Sequence, residues 1–347
     1  MKKLILPFSL IFLFILGFVL LVLRKPVKVP VPQPMPEAQI SPITKPLEIS
    51  QVKKIAEITA VEDINDLDVS KDGKTIFVPS FDEDKIYVID VIEDFVGKEI
   101  KVAGPYSLAV SPDQKKIFVA NDKEQILVLD AKTEQVVSTI KVGSKPYDLI
   151  FSQDGKYLFV SNNLSASVSV IDTEKSRVIT TIPVGKVPRG LALDNSGRFL
   201  YVANYDDASI SLISTDSLTE VGKILVDGRP NEILAHPGKN LVFVTDAYFN
   251  QVLVIDTTIN KVVEKIDVGE FPWGMTINQT GELLYVAGFG QNTISVINIL
   301  TSKPQETITT TGAFATESGF NKLALLEEQR KFYLVNTLVG KVLVYSF

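Results

Sequence analysis

Residues 146–185 read PYDLIFSQDGKYLFVSNNLSASVSVIDTEKSRVITTIPVG, and this stretch decides the fold because the chain repeats it. Residues 105–143 read PYSLAVSPDQKKIFVANDKEQILVLDAKTEQVVSTIKVG, and residues 188–228 read PRGLALDNSGRFLYVANYDDASISLISTDSLTEVGKILVDG. The residue that closes the SVSVID-type segment recurs after 40 residues and then every 42, at Asp90, Asp130, Asp172, Ser214, Asp256 and Asn298. A period near 42 residues is typical of the blades of a β-propeller.

Each repeat contains four β patterns separated by turn signals. Residues 157–161 and 167–171 are rich in β-branched and aromatic side chains, which favour strands. Asp154-Gly155 suits a tight hairpin between the first and second strands. One four-stranded sheet cannot bury both of its faces by itself, so we expect the sheets to stack radially as blades.

The number of repeats predicts seven blades. Repeats start near Asp63, Pro105, Pro146, Pro188, Pro230, Pro272 and Phe320. The last repeat stops at Phe347 before a fourth strand, whereas residues 52–59 resemble the fourth strand of the other repeats. We therefore expect an all-β, seven-bladed propeller of four-stranded antiparallel blades, closed by an N-terminal strand that removes an exposed edge. Six or eight blades are the alternatives.

The N-terminal segment predicts a membrane anchor and a stalk. Residues 4–23 carry no charge, and about 20 helical residues span a hydrocarbon core of ~30 Å. Residues 1–24 are therefore interpreted as an uncleaved transmembrane signal-anchor; the alternative, a cleaved signal peptide, lacks a small-residue cleavage site here. Residues 25–47 begin KPVKVPVPQPMP, which predicts an extended polyproline stalk. The propeller then occupies residues 48–347.

Composition excludes several classes of function. The net charge of −6 disfavours a nucleic-acid partner, because phosphate contacts need clustered cations. The chain has no cysteine, which removes disulfides, thiolate metal sites and thiol nucleophiles. It has one histidine, His236, which we expect to be an exposed turn residue rather than a ligand or base. The acidic loops at residues 81–84 and 205–207 are interpreted as solvated hairpin tips rather than calcium sites. We expect no metal site.

The repeats carry a specific resemblance. Segments FVSN (residues 159–162), LYVAN (200–204), SVSVID (167–172) and IPVG (182–185) resemble the YVTN β-propeller repeats, a WD-like repeat family, over about residues 52–347. Proteins of this family occur at the cell surface, which implies a single-pass cell-membrane protein with an extracytoplasmic propeller. The wider superfamily includes phosphogluconolactonase-like enzymes and haem- or copper-bearing propellers. One histidine cannot build a haem or copper site of that kind, so no cofactor is expected.

A candidate ligand site lies where the loops enter the first strand of each blade. These loops converge on the central tunnel, and their residues differ around the ring, as an asymmetric ligand requires. The predicted ligand-binding tunnel mouth consists of Tyr106, Tyr147, Asp148, Arg189, Asn231, Glu232 and Trp273. Charge and ring stacking would suit an anionic or sugar-like ligand there. The alternative is that these side chains pair with each other and plug the tunnel. No residue is assigned a catalytic role.

Two functions from different classes follow. The first is a non-enzymatic binding or scaffold module that engages protein, glycan or envelope ligands through its tunnel face. The alternative is a lactonase- or lyase-like enzyme acting on a small anionic or sugar-like substrate. A purely structural surface-coat element is a third interpretation. The anchor and stalk favour the first, because neither helps an enzyme of soluble cytoplasmic sugar phosphates.

Overall fold

The computed structural model describes residues 53–59, 64–290, 293–300, 303–309 and 319–347. The predicted anchor at residues 4–23 and the stalk at 25–47 lie outside these ranges. Within the ranges, no helix is both long enough and apolar enough to cross a membrane. The described strands form seven separate four-stranded antiparallel sheets, each a blade, which confirms the predicted seven-bladed all-β fold.

The strands follow the sequence repeat, four to a blade. Blades 1 to 3 consist of β2 (Asp68–Val69), β3 (Thr75–Ser80), β4 (Lys85–Asp90) and β5 (Phe95–Lys101); β6 (Pro105–Val110), β7 (Lys116–Asn121), β8 (Gln125–Asp130) and β9 (Val136–Lys141); and β10 (Pro146–Phe151), β11 (Tyr157–Asn162), β12 (Ser167–Asp172) and β13 (Arg177–Pro183). Blades 4 to 6 consist of β14 (Pro188–Leu193), β15 (Phe199–Asn204), β16 (Ser209–Ser214) and β17 (Thr219–Leu225); β18 (Pro230–Ala235), β19 (Leu241–Asp246), β20 (Gln251–Asp256) and β21 (Lys261–Asp267); and β22 (Pro272–Ile277), β23 (Leu283–Gly288), β24 (Thr293–Asn298) and β25 (Lys303–Thr309). Blade 7 combines β26 (Phe320–Leu326), β27 (Lys331–Asn336) and β28 (Lys341–Ser346) with β1 (Lys53–Thr59).

The core lies between the blades rather than inside them. Each of the seven apolar clusters of the described residues joins two neighbouring blades. At the seam of blades 3 and 4, for example, Phe159 and Val168 pack with Leu191 and Leu200. Burying a side chain of this size is worth roughly 1.5–3 kcal/mol. Radial stacking therefore buries the apolar faces that an isolated blade would expose.

The ring closes between the two ends of the propeller. β1 pairs antiparallel with β28, from Lys53 opposite Ser346 to Thr59 opposite Lys341, as the sequence predicts. Across the adjoining seam with blade 1, Tyr333 Oη donates hydrogen bonds to the main-chain oxygen of Val91, at 3.1 Å, and to the carboxylate of Asp94. Side chains as well as strand pairing thus tie blade 7 to blade 1.

Two faces of the propeller differ in what they present. The upper face carries the loops that enter each first strand and the loops between second and third strands; the lower face carries the remaining turns. On the upper face, Asn162 accepts a hydrogen bond from Gly143 N (3.1 Å) and donates to Ser167 Oγ (3.1 Å) and Ser169 Oγ (2.9 Å). The asparagine of the repeat motif therefore fastens the incoming loop, which is a structural task.

Candidate functional site: the tunnel mouth

The predicted site residues converge because the first strands of blades 2 to 6, which carry them, each begin with a bulge. In β10 the pairing passes from Pro146–Asn162 to Leu149–Val160, so Tyr147 and Asp148 together face one residue of β11. The same irregularity occurs at the start of β14, β18 and β22. A bulge re-aims side chains at the rim of a sheet. Here it directs two consecutive side chains of a blade toward the tunnel mouth.

The converging side chains leave little space. The cavity between them measures about 20 Å³, which is room for about one water molecule. Its lining includes five predicted site residues, namely Tyr106, Tyr147, Asp148, Asn231 and Glu232, together with Asn65, Asp66, Ser107, Asn321 and Lys322. Arg189 and Trp273 do not line it. The mouth is therefore packed at this level rather than open.

Lys322 is the centre of the buried charges. Its Nζ donates a hydrogen bond to Glu232 Oε1 at 2.6 Å and lies 4.0 Å from Asp66 Oδ1. Burial lowers the pKa of Lys322, but the surrounding carboxylates of Glu232, Asp148 and Asp66 outweigh burial and hold the pKa well above its ordinary value. The lysine therefore stays charged and offsets part of an otherwise acidic cluster.

The aspartates of the tunnel mouth bind the main chain of the next blade. Asp148 accepts hydrogen bonds from Leu149 N (2.9 Å) and, across the seam, from Leu191 N (2.8 Å). Burial raises the pKa of Asp148 to about 7, against the opposing charge of Lys322. A buried N–H without an acceptor would be costly, so this carboxylate is structural in its contacts.

The same arrangement recurs between blades 1 and 2. Asp66 accepts from Ser107 Oγ at 2.6 Å, and Asp68 accepts from the main-chain N–H of Val69 and of Val110, each at 2.8 Å. Burial raises the pKa of Asp68 to about 6. Asp66, Asp68 and Lys322 were absent from the predicted site. Asp66 and Lys322 occupy the register position of Asp148, so the repeat places them on the same ring.

Residue size alternates around the ring at this register position. Blades 1, 3 and 5 carry an acid, blade 7 carries a lysine, and blades 2, 4 and 6 carry Ser107, Gly190 and Gly274. A Cβ on Gly274 would lie 2.4 Å from the main-chain oxygen of Asn321, and one on Gly190 would lie 2.9 Å from that of Asn231. The glycines therefore allow adjacent first strands to approach closely.

Arg189 belongs to a stack of alternating rings and guanidinium groups above the cavity. Its Cζ lies 3.6 Å from the ring centre of Tyr205 and 5.7 Å from that of Tyr147, while Arg229 lies 5.2 Å from Tyr205. Arg189 Nη1 donates to Asn231 Oδ1 at 2.7 Å, but its buried Nε has no acceptor among the described residues. Tyr205 and Arg229, which the sequence did not single out, extend the site outward.

Trp273 stands apart from the charged cluster. Its ring stacks on Phe289 with a centroid separation of 4.3 Å. Nearby on the upper face, Tyr248, Phe249 and Phe271 are 66 %, 47 % and 55 % exposed. The aromatic residues of the upper face thus extend well beyond the predicted ring.

The expectation for His236 is wrong. The residue is buried at 3 % exposure, and its Nδ1 accepts hydrogen bonds from Gly238 N (2.9 Å) and Lys239 N (2.8 Å). The turn of blade 6 covers it, with Gly281 so close that a Cβ there would lie 2.4 Å from the imidazole. Burial lowers the pKa of His236. The sequence places His236 in a turn of blade 5, and such a turn is expected to be exposed. The turn that covers it belongs to blade 6, which the sequence around His236 does not indicate.

The two acidic loops bind the protein itself. Asp84 accepts from Gly104 N at 2.7 Å, and Asp207 contacts Ser209 Oγ at 3.0 Å and Lys223 Nζ at 3.2 Å. Across the part of the chain that the structure describes, no group of three or more acidic or histidine side chains is arranged to hold a metal ion.

Comparison with known proteins supports the same fold. Residues 67–234, just under half of the chain, match the family described as "Lactonase, 7-bladed beta-propeller". Over that segment the chain is similar to this family. A solved chain of Kuenenia stuttgartiensis hydrazine synthase is 19 % identical and superposes with a TM-score of 0.73, covering 83 % of this chain and 97 % of its own. At that identity the likeness concerns the fold alone. No curated protein matches the chain.

Proposed function

We propose that this chain is a membrane-anchored, extracytoplasmic binding module that engages a protein or glycan partner through its upper face without catalysing a reaction. One observation carries the proposal. The acidic groups of the tunnel mouth bind main-chain N–H groups or Lys322, and the cavity between them has room for about one water molecule. A substrate-sized ligand would have to displace this packed cluster.

The direction of β1 supports the proposal that the upper face is available to a partner. Thr59, at the end of β1, lies opposite Lys341 next to an upper loop, so Lys53 lies toward the lower face. The first described residue of the propeller therefore lies on the lower side, away from the upper loops.

The enzymatic alternative rests on two observations. Residues 67–234 match a lactonase family, and Asp148 has a pKa raised to about 7, a value suited to acid–base work near neutrality. Raised pKa values also arise in structural clusters. Both oxygens of Asp148 already accept main-chain hydrogen bonds, which favours the structural interpretation.

Site-specific cross-linking tests the binding function. Because the chain has no cysteine, an introduced thiol is the one thiol of the protein that reacts. Leu164→Cys places a single thiol on the upper face, where the residue is 68 % exposed, and Asp216→Cys places one on a lower turn, with a side chain 77 % exposed. In intact cells that make the full chain, a membrane-impermeant maleimide should label both variants. A benzophenone maleimide should then give discrete adducts from the upper position only. Unlabelled thiols would contradict the extracytoplasmic placement, and equal or absent adducts would contradict partner binding through the upper face.

A further inference from the structure

We infer that the partner is a polypeptide that presents acidic side chains next to aromatic or aliphatic ones, bound over blades 4 to 6 of the upper face. This inference rests on the proposed binding function and names its partner class. It depends on two adjoining features: the stack of Tyr147, Arg189, Tyr205 and Arg229, called the arginine stack, and the exposed residues Tyr248, Phe249 and Phe271, called the aromatic band.

The arginine stack offers positive charge that the protein does not neutralise. Among the residues that the structure describes, Arg189 makes no salt bridge, and Arg229 has only the carboxylate of Asp206, whose Oδ1 lies 4.0 Å from Nη2. The ring of Tyr205 contacts both guanidinium groups, with Arg189 Cζ at 3.6 Å and Arg229 Cζ at 5.2 Å from its centre. Planar guanidinium groups match carboxylates in geometry and charge. Two such groups held by one ring form a preorganised site for acidic side chains.

The aromatic band adjoins the arginine stack through main-chain contacts. Ala247 N donates to Arg229 O at 3.2 Å, and Phe271 N donates to Asn250 Oδ1 at 3.0 Å, so consecutive upper loops lie side by side. Exposed aromatic side chains beside arginine have the composition of energetic hot spots in protein interfaces. A partner residue with an apolar side chain would bury these rings while its acidic neighbour meets the arginines.

The turn itself does not require the aromatic residues. The loops of blades 1 and 4 have the same length as the loop of blade 5 but carry Asp82-Glu83 and Asp206-Asp207 where blade 5 carries Tyr248-Phe249. Acidic residues therefore satisfy this hairpin equally well. Tyr248 and Phe249 contact each other edge to face at 4.8 Å rather than entering the core. Their exposure is thus a property of the surface, not of the fold.

Charge on the opposite side of the upper face fixes the direction of binding. The loops of blades 1 and 2 are acidic, with Asp82, Glu83, Asp84, Asp122 and Glu124. The loop of blade 4 also carries Asp206 and Asp207, but Asp207 pairs with Lys223, whereas the loops of blades 1 and 2 place no arginine beside their acids. A partner with acidic side chains would therefore be attracted toward Arg189 and Arg229 rather than toward blades 1 and 2. Such complementarity sets orientation and excludes wrong partners.

Peptide selection on the purified full chain in detergent tests the inference. A phage library of random dodecapeptides is selected against wild type and against Arg229→Glu. We expect wild type to enrich peptides with Asp or Glu beside aromatic or aliphatic residues. A synthetic peptide of that consensus should bind at least about tenfold more weakly to Arg229→Glu and to Phe249→Ser, since losing one good contact is worth about a factor of ten.

The matched control is Arg198→Glu, which reverses an exposed arginine on a lower turn and should leave peptide affinity unchanged. An enriched consensus that is basic or uncharged, yet is lost in Phe249→Ser, would overturn the acidic partner while leaving binding through the upper face intact. No enrichment, or enrichment insensitive to both upper-face substitutions, would overturn the inference. If the Leu164 cross-link is also absent, the proposed function falls with it.

Discussion

Removing the positive charge of Lys322 should strongly destabilise the propeller. Lys322→Met keeps most of the side-chain volume but leaves Glu232 and Asp66 without their cation. At an effective dielectric constant of about 20, two unit charges separated by the observed 2.6 Å attract by about 6 kcal/mol before desolvation is counted. Removing one partner of a buried ion pair costs about 3–5 kcal/mol, because the other charge is left uncompensated. Since the side chains of Lys322 and Glu232 are 24 % and 17 % exposed, solvent screens part of this cost, and we expect the free energy of unfolding to fall by about 3 kcal/mol.

Urea unfolding of the full chain in detergent, followed by tryptophan fluorescence from Trp273, measures this loss. The matched control is Lys265→Met, which breaks an ion pair of 3.0 Å between exposed side chains and should cost less than about 1 kcal/mol. Combining Lys322→Met with Glu232→Gln should recover much of the stability, since both charges are then gone. Equal losses in Lys322→Met and Lys265→Met would refute the buried charge cluster.

Three further outcomes follow from the contacts. Gly274→Ala should lower the free energy of unfolding in urea by about 1–3 kcal/mol, because its Cβ would meet main-chain atoms of blade 7. The control Gly222→Ala, whose Cβ would have no atom closer than 4.0 Å, should be nearly neutral. Equal effects would show that the first strands are not in close contact. The pKa of Asp148 is raised from 3.8 to about 7. Its contribution to the free energy of unfolding is therefore complete below about pH 4 and is lost as the pH rises through 7, by up to about 4 kcal/mol. Urea unfolding across pH 5 to 8 should show this decline in wild type and a flatter profile in Asp148→Asn, and parallel profiles would contradict it. Tyr333→Phe should lower the free energy of unfolding by about 1–3 kcal/mol through the lost hydrogen bonds to Val91 and Asp94. The control Tyr248→Phe, on the exposed surface, should change thermal unfolding little. A larger loss in Tyr248→Phe than in Tyr333→Phe would exclude the seam between blades 7 and 1 as a closure contact.

The sequence was sufficient to predict the blades because their signals are local and repeated. The 42-residue period, the Asp-Gly turns and the β-branched strands each depend on neighbours along the chain. Closure by the N-terminal strand was also predictable, since residues 52–59 matched a missing element in blade 7. Each repeat supports the strand assignment of the others, so an error in one repeat does not change the predicted fold.

The pairing of charges at the tunnel mouth was not predictable in the same way. The sequence placed Arg189, Asp148 and Glu232 on one ring, but the ring position of a side chain does not fix its partner. Glu232 reaches Lys322 of blade 7, whereas Arg189 turns outward onto Tyr205. These choices depend on bulge geometry and on distances across the tunnel. His236 was misplaced for a related reason, because a turn of another blade covers it.

The most direct test of the central claim, that the tunnel mouth is a packed structural element of a binding module, is a lactone hydrolysis assay. A pH-stat would record acid release from γ- and δ-lactones, with and without phosphate groups, by the full chain and by Glu232→Gln and Asp148→Asn. We expect the full chain to match the buffer rate for every lactone. Turnover by the full chain that either substitution abolishes, in a variant that remains folded, would contradict the claim and establish the enzymatic alternative.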